Sequence, residues 1–262
     1  MRTNHLWLKR ISKLGLFLML GTNLSACAGL GGTSWREEAL LHDGNKITVN
    51  RSQSYGGRHE LGQPEPIKEH IISFKLPGSG RSLTWTSEFS EDVGFTNFTL
   101  LAVHVLNDVP YVIAEPNGCL SYNKWGRPNP PYVIFKHDGK EWQRIPLSEL
   151  PLEFKTFNIA ISMPWDIRRG PLYLGENNTL SAESIKSTNA NIRIPQNKTL
   201  LREALANAGA GCIKTDYYGK AGWLSPDWFT DQASREACLK FCDFKKISAE
   251  ECPCNIIFKG AK

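Results

Sequence analysis

The sequence predicts a mainly β protein whose antiparallel hairpins form a sandwich, a meander or a propeller-like sheet, followed by a small disulfide-linked helical C-terminal region. Three observations carry that reading. Short runs of alternating apolar and polar residues recur between turn signals, the pattern of half-buried strands. The run 98–106, FTLLAVHVL, is apolar on both sides: Phe98, Leu100, Ala102 and Leu106 on one, Leu101, Val103 and Val105 on the other. A strand of that kind belongs in the middle of a sheet covered on both faces, not at a half-exposed edge. Beyond residue 199 the apolar period becomes helical, and five of the seven cysteines fall there: Cys212, Cys238, Cys242, Cys252 and Cys254.

The N-terminus reads as an address. Residues 1–26 carry Arg2, Lys9, Arg10 and Lys13 with no acidic residue, and the apolar run 14–20 follows the basic stretch. This is the layout of a secretory leader, and the apolar run is too short for a permanent membrane helix. Leu24-Ser25-Ala26-Cys27 resembles the lipobox of bacterial lipoproteins. That resemblance implies cleavage before Cys27 by signal peptidase II and a diacylglycerol on its thiol, anchoring the chain to a membrane. Ala28 follows the cysteine, which in Gram-negative lipoproteins implies sorting to the outer membrane, with the domain facing the periplasm. An ordinary cleavable leader with an incidental cysteine is the other reading. Residues 27–34 are Gly-rich and serve as a flexible tether.

Charge and cysteine usage agree with export. The formal charge is +5, of which the leader's four basic residues supply +4, so the mature chain carries +1. A near-neutral domain has no electrostatic reason to bind nucleic acid, and no nucleic-acid partner is expected. Assigning Cys27 to the lipid leaves an even set of six cysteines in a compartment where disulfides persist.

The β domain is expected over residues 35–175. Residues 35–42 and 46–51 flank Asp43-Gly44-Asn45 as a first hairpin, with Ile47 and Val49 on one face. Residues 52–69 read as a polar loop. In a second hairpin Ile72, Phe74 and Leu76 share one face, residues 77–80 turn, and Leu83 and Trp85 return. Residues 87–94 form an acidic loop. Asn107-Asp108 ends the 98–106 run, and Pro110 restarts the chain as the strand 111–114. Asp138-Gly139, between residues 132–136 and 142–145, is a strong hairpin signal. Short strands at 157–161 and 172–174, separated by the loop 163–171, close the domain. Residues 176–198, rich in Asn, Ser and Thr, read as a polar linker.

Residues 199–262 read as helical and Cys-rich. Leu200, Leu201, Ala204, Leu205 and Ala208 recur at helical spacing with Gly209 as a C-terminal cap, and a second helix is expected over 231–243. Ser248 and Glu251 have capping-box spacing for one last turn, stopped by Pro253. Cys238 and Cys242 lie one helical turn apart, roughly 6 Å along the axis. Cys252 and Cys254, two apart on an extended segment, span about the same distance. The match makes Cys238–Cys254 and Cys242–Cys252 geometrically reasonable pairs, leaving Cys119 with Cys212. A structural staple is the reading adopted, because a small helical appendage buries too little core to stand alone. A four-cysteine zinc site suffers from the tight Cys-x-Cys half, so no metal is expected. A redox-active Cys-Pro-Cys is the third reading, without a thioredoxin-like context around it.

Two other places invite chemistry. Tyr122, Lys124, Trp125 and Arg127, in a proline-stiffened loop, have the composition of a binding hot spot, or they fold back on the sheet as a lid. His59, Glu60 and His70 border the loop that follows Gly56-Gly57 and could form an acid/base or metal cluster, or an ordinary connection. His104 reads as a hydrogen-bonded core residue beside Leu100 and Leu106, and His42 and His137 as solvated hairpin tips. No G-x-S-x-G, P-loop, dinucleotide fingerprint or H-E-x-x-H occurs, and no cofactor is expected. The segments Gly57-Arg58-His59-Glu60, GCLSYNKWGRPNPPYV at 118–133 and DGKEWQRIPL at 138–147 are similar to a family of uncharacterised proteobacterial exported proteins. That resemblance implies a shared fold and no activity. Two functions follow as expectations: binding of a protein or glycan partner without catalysis, or a periplasmic hydrolase using an acid such as Glu60 or Asp166 near residues 58–70. Whether the 58–70 and 122–127 loops border one pocket separates them. Carboxylates about 5–9 Å apart in a cleft favour hydrolysis, and an aromatic-rich surface favours binding.

Overall fold

The computed structural model describes residues 32–161, 178–192 and 194–259. The expected leader, Cys27, the loop expected at 163–171 with Asp166 and the strand expected at 172–174 lie outside them. Four strands run as an antiparallel meander: β1 (Thr33–Leu40), β2 (Lys46–Tyr55), β3 (Ile67–Lys75) and β4 (Ser82–Thr86). The next four form a second meander: β5 (Phe98–Leu106), β6 (Val109–Pro116), β7 (Val133–His137) and β8 (Trp142–Ile145). The fold is therefore mainly β. Turn chemistry sets the registers. Asn107 and Asp108 both adopt positive φ, 51° and 60°, the mirror-image turn whose twist matches the flanking strands. Asp138 Oδ1 accepts from the backbone N–H of Lys140 and Glu141, closing the β7–β8 hairpin.

Buried side chains of the two meanders share one core. Ala39, Ile47, Val49, Ile72, Phe74 and Trp85 come from the first sheet, and Phe98, Leu100, Val103, Val112 and Val133 from the second. The sheets thus face one another as a sandwich. The second sheet is covered on its other side too, where Leu101, Ala102, Ile113 and Ile134 pack under Leu150, Phe154, Phe157 and Leu200. This is the two-faced burial expected of residues 98–106.

Two details of β5 differ from the sequence expectation. A register shift between Leu100 and Ala102 makes Leu101 an extra residue in the β5–β6 pair. Leu101 and Ala102 then share the outer face, and the alternation reverses: Val103 joins Phe98 and Leu100, while His104 faces away from Leu100 and stacks on Phe154 at 4.4 Å. Secondly, β5 is an edge strand, because the sheet order is β5-β6-β7-β8. Its free edge is sealed by a side chain. Asn158 Oδ1 accepts from Val103 N–H at 2.9 Å, and its Nδ2 donates to Val103 O at 2.6 Å and to Leu40 O at 3.0 Å. One amide thus stands in for a neighbouring strand and ties the two sheets together. Residues 157–161, expected as a strand, are irregular and run along this edge.

Other segments also depart from the pattern. Residues 52–55 and 67–69, expected in a loop, extend β2 and β3. The described part of the expected 176–198 linker, from residue 178 on, holds regular elements: β9 (Thr179–Leu180) pairs in parallel with β1, and α2 (Ala182–Ala190) follows. Its helix signal is a cap, with Ser181 Oγ accepting from Ser184 N–H, and only Ile185 and Asn189 are buried on it. Conversely, residues 200–208 are irregular chain ending in a turn, not a helix. Their backbone donors find partners on other segments: Leu200 N–H bonds Lys155 O, Leu201 N–H bonds Tyr132 Oη and Leu205 N–H bonds Asn129 Oδ1. His137 is buried, its Nδ1 accepting from Gly139 N–H and its ring against Trp142.

The C-terminal region is a small helical unit: α3 (Asp227–Thr230), α4 (Arg235–Lys245) and α5 (Cys254–Ile257). Ser234 caps α4 by accepting from Ala237 N–H, so the helix begins later than expected and ends at a left-handed Lys246. Ser248 Oγ accepts from Glu251 N–H, one half of a capping box, and its hydroxyl donates to the Glu251 carboxylate. Cys238–Cys254 and Cys242–Cys252 are disulfides, buried with Leu224, Phe229 and Ile247. Cys119–Cys212 is the third. Among the described residues no helix is long and apolar enough to cross a membrane.

Candidate binding cleft

The helix α1 (Gly118–Lys124) carries the first wall of the site. Its aromatic residues turn inward. Tyr122 is buried under the Arg127 guanidinium, and Trp125 packs on Phe98 at 4.6 Å with Nε1 donating to Asn97 Oδ1. Arg127 donates to Asn123 Oδ1 at 2.7 Å and to Gly209 O at 3.3 Å. Lys124 alone of the four expected binding residues lines the cleft, pairing with Glu88 at 2.8 Å and Asp92 at 3.2 Å.

A second wall is laid over α1 by the chain after residue 208. Gly209 has φ +66° and lies so close to Tyr122 that a Cβ there would collide with the ring. Cys212 is bonded to Cys119, and Asn123 Nδ2 donates to Ile213 O at 2.9 Å and Thr215 Oγ1 at 2.8 Å. The hairpin β10 (Asp216–Tyr217) and β11 (Trp223–Leu224) follows, joined by a tight Gly219–Ala221 turn. Trp223 Nε1 reaches across to donate to Asp92 O at 3.0 Å. Its ring lies 5.4 Å from that of Tyr217, which is 48% exposed.

The third wall explains part of the Gly56-Gly57-Arg58 motif. Arg58 N–H donates to Gly94 O at 2.7 Å, and a side chain at Gly57 would strike that same carbonyl. The close approach holds Arg58 beside the 88–94 loop, where its guanidinium donates to Glu91 O. The result is a shallow cleft of about 490 Å³ lined by Arg58, Glu91, Asp92, Leu120, Tyr217, Lys220 and Trp223. A neighbouring depression of about 470 Å³, lined by Asn123, Lys124, Thr215 and Asp216, shares Asp92, Tyr217 and Trp223 with it. So the two loops that the sequence singled out do border adjoining clefts, through Arg58 and Lys124.

Both partners of the central ion pair are charged. Burial raises the Asp92 carboxyl, but hydrogen bonds from Ser90 and Lys124 and the lysine's charge outweigh it and hold the group below its ordinary value. Burial works against the Lys124 ammonium, and its bonds to Glu88 and Asp92 more than compensate, leaving it raised. The site is a fixed framework of both signs around two aromatic rings.

The remaining candidates are not assembled with it. His59 and Glu60 are exposed in the loop after Arg58, while His70 is buried between the sheets beside Gln53. Burial, then the charge of Arg51, pushes His70 down to about 3. The C-terminal cysteines lie close together, Cys254 Sγ being 3.3 Å from Cys252 Sγ and 3.6 Å from Cys242 Sγ. All four sulfurs are in disulfides, which offer a metal no thiolate. Sequence reasoning missed Asp92, Tyr217, Lys220 and Trp223; the available signal was an aromatic pair and a tryptophan flanking the glycine turn in YYGKAGW, residues 217–223. It also missed a buried ion pair, Glu37–Arg51 at 2.8 Å, between the sheets.

Comparison of the chain with protein-family models, with curated proteins and with solved structures finds no match. The fold and site define a disulfide-stabilised, two-sheet β protein with an open aromatic cleft.

Proposed function

We propose that the chain is an outer-membrane lipoprotein, anchored through Cys27, whose periplasm-facing β domain binds a glycan in the Tyr217–Trp223 cleft without catalysis. The Leu24-Ser25-Ala26-Cys27 lipobox supports the anchor. One observation carries the binding reading: an aromatic pair, Tyr217 exposed and Trp223 half-buried, is rimmed by fixed charged and amide groups, Arg58, Asp92, Asn123, Lys124 and Lys220. A sugar ring presents C–H groups on its faces and hydroxyls on its edges. Aromatic faces match the former, and rim groups of both signs accept or donate to the latter. Leu120 is the one aliphatic residue among those lining the two depressions, which disfavours an apolar ligand or a peptide held by apolar anchors. A protein partner remains the second form of the same reading. The charged state of the Asp92–Lys124 pair also speaks for holding rather than proton transfer.

Calorimetric titration of the mature domain with soluble glycan-strand oligosaccharides tests this. Trp223→Ala or Tyr217→Ala should weaken binding by roughly tenfold or more, as for an aromatic hot spot, while the melting temperature stays near wild type. Binding that ignores both substitutions sinks the assignment of the cleft. For the anchor, Cys27→Ala should leave an unlipidated, unprocessed precursor; a normally processed, membrane-free product would point to an ordinary leader.

A further inference from the structure

We propose that the Cys119–Cys212 disulfide is a reducible latch on the cleft, a thiol-exchange site distinct in kind from the two C-terminal disulfides. Its effect on binding rests on the glycan-cleft reading; its chemistry does not. The three bridges differ in access. Cys238, Cys242, Cys252 and Cys254 are buried, two of them completely, in the small C-terminal core. Cys119 is exposed at the start of α1, and Cys212 is half-buried. Exchange needs a thiolate to reach a disulfide sulfur, so exposure decides which bridge a reductant meets first.

The bridges differ equally in what they hold. The buried pair close loops within the C-terminal unit, with sequence separations of 16 and 10. Cys119–Cys212 joins residues 93 apart and is the covalent tie between α1 and the chain that enters the β10–β11 wall. Past Cys212 that wall is held to α1 and the 88–94 loop by the two Asn123 bonds and by Trp223 Nε1 to Asp92 O, while Tyr218 and Leu224 anchor its other side in the C-terminal core. Opening the bridge therefore loosens the wall that carries Tyr217 and Trp223, while the sandwich and the C-terminal staples stay intact.

The step balances with a dithiol reductant. One thiolate attacks Cys119 Sγ, the sulfur–sulfur bond breaks, and Cys212 leaves as a thiolate that takes up a proton. The reductant's second thiol then attacks the mixed disulfide, releases the Cys119 thiol and closes the reductant's own disulfide. Two electrons and two protons pass from the dithiol to the pair, and a disulfide oxidant reverses the exchange.

The test uses the oxidised mature domain with dithiothreitol as the dithiol. After graded reduction, alkylation and peptide mapping should find Cys119 and Cys212 modified first, with the other four still paired. At that stage trypsin should cut after Lys214 and Lys220 roughly tenfold faster than in the oxidised protein, because both side chains are already exposed and local opening of the wall frees the backbone around them to enter the protease. Cys119→Ser with Cys212→Ser should reproduce that rate without reductant. Reduction of the C-terminal bridges first, or all three together, overturns the proposal, as does an unchanged cleavage rate after selective reduction. Oligosaccharide titration separates the two readings. Weaker binding after selective reduction supports the latch, and equal affinity in both states overturns it as a control of the site. If no saccharide binds in either state while the wall still opens selectively, the glycan reading falls and the exchange site stands.

Discussion

The buried Glu37–Arg51 pair makes the sharpest prediction about stability. Glu37 and Arg51 are both essentially inaccessible, on the inner face of β1 and β2. The carboxylate accepts three hydrogen bonds: from Trp35 Nε1 at 2.6 Å, Arg51 Nη1 at 2.8 Å and Ala160 N–H at 2.9 Å. Arg51 also donates to Ala160 O at 2.6 Å and lies 4.8 Å over the Trp35 ring, while its Nη2 has no partner among the described residues. Glu37→Gln keeps the shape and removes the charge that neutralises the guanidinium. Breaking one partner of a buried pair costs about 3–5 kcal/mol, because the survivor is left uncompensated. For a domain of this size each kcal/mol lowers the melting temperature by about 2–4 °C, so the variant should melt roughly 6–20 °C below wild type. Circular dichroism melts at neutral pH are sufficient. Glu37→Gln combined with Arg51→Met removes the stranded charge and should recover much of the loss. A single variant melting within about 2 °C of wild type, or a double variant less stable than the single, refutes the argument.

Three further outcomes are expected. His70 and His104 are held at about 3 and about 4, each mainly by burial, so the unfolded chain protonates first. Stability from the two neutral rings is complete above the unfolded value near 6.5 and is lost as pH falls from there, toward about 4 for His104 and about 3 for His70. The slope is about 1.4 kcal/mol per pH unit for each ring. Urea unfolding at pH 7 and pH 5 should show the loss, shrinking in His104→Gln; an unchanged pH dependence in that variant would contradict the buried neutral ring. Asn158→Ala strips both backbone groups of Val103 of their partner and should cost about 2–4 kcal/mol in the same assay, whereas a loss under about 1 kcal/mol would mean the β5 edge is satisfied otherwise. Cys238→Ser with Cys254→Ser should loosen the C-terminal unit by about 2–4 kcal/mol, seen as faster hydrogen exchange over 225–259 with the sandwich unchanged. Equal loosening of both regions would show that they fold as one.

What could be read without a structure was short-range. Turn residues marked the hairpins because Asn-Asp and Asp-Gly satisfy positive φ and side-chain-to-backbone bonds locally. Cysteine spacing made Cys238–Cys254 and Cys242–Cys252 reasonable pairs, and the structure has both, although Pro253 is αR and Cys254 opens α5, so the extended 252–254 segment assumed for them is absent. The two-sided burial of 98–106 was visible because every position in it but Thr99 and His104 is apolar. What the tertiary structure decided depended on distant partners. The periodicity at 200–208 is real, yet Tyr132, Asn129 and Lys155 capture the backbone donors that a helix would use. A single extra residue at Leu101 exchanges the faces of β5, and no residue type announces a bulge. Most of all, the cleft joins Arg58, Asp92, Lys124 and Trp223 from four separate stretches of chain. A one-dimensional pattern can show that a residue is aromatic or charged; only the packing of the sandwich against the disulfide-tied hairpin brings those residues to one surface.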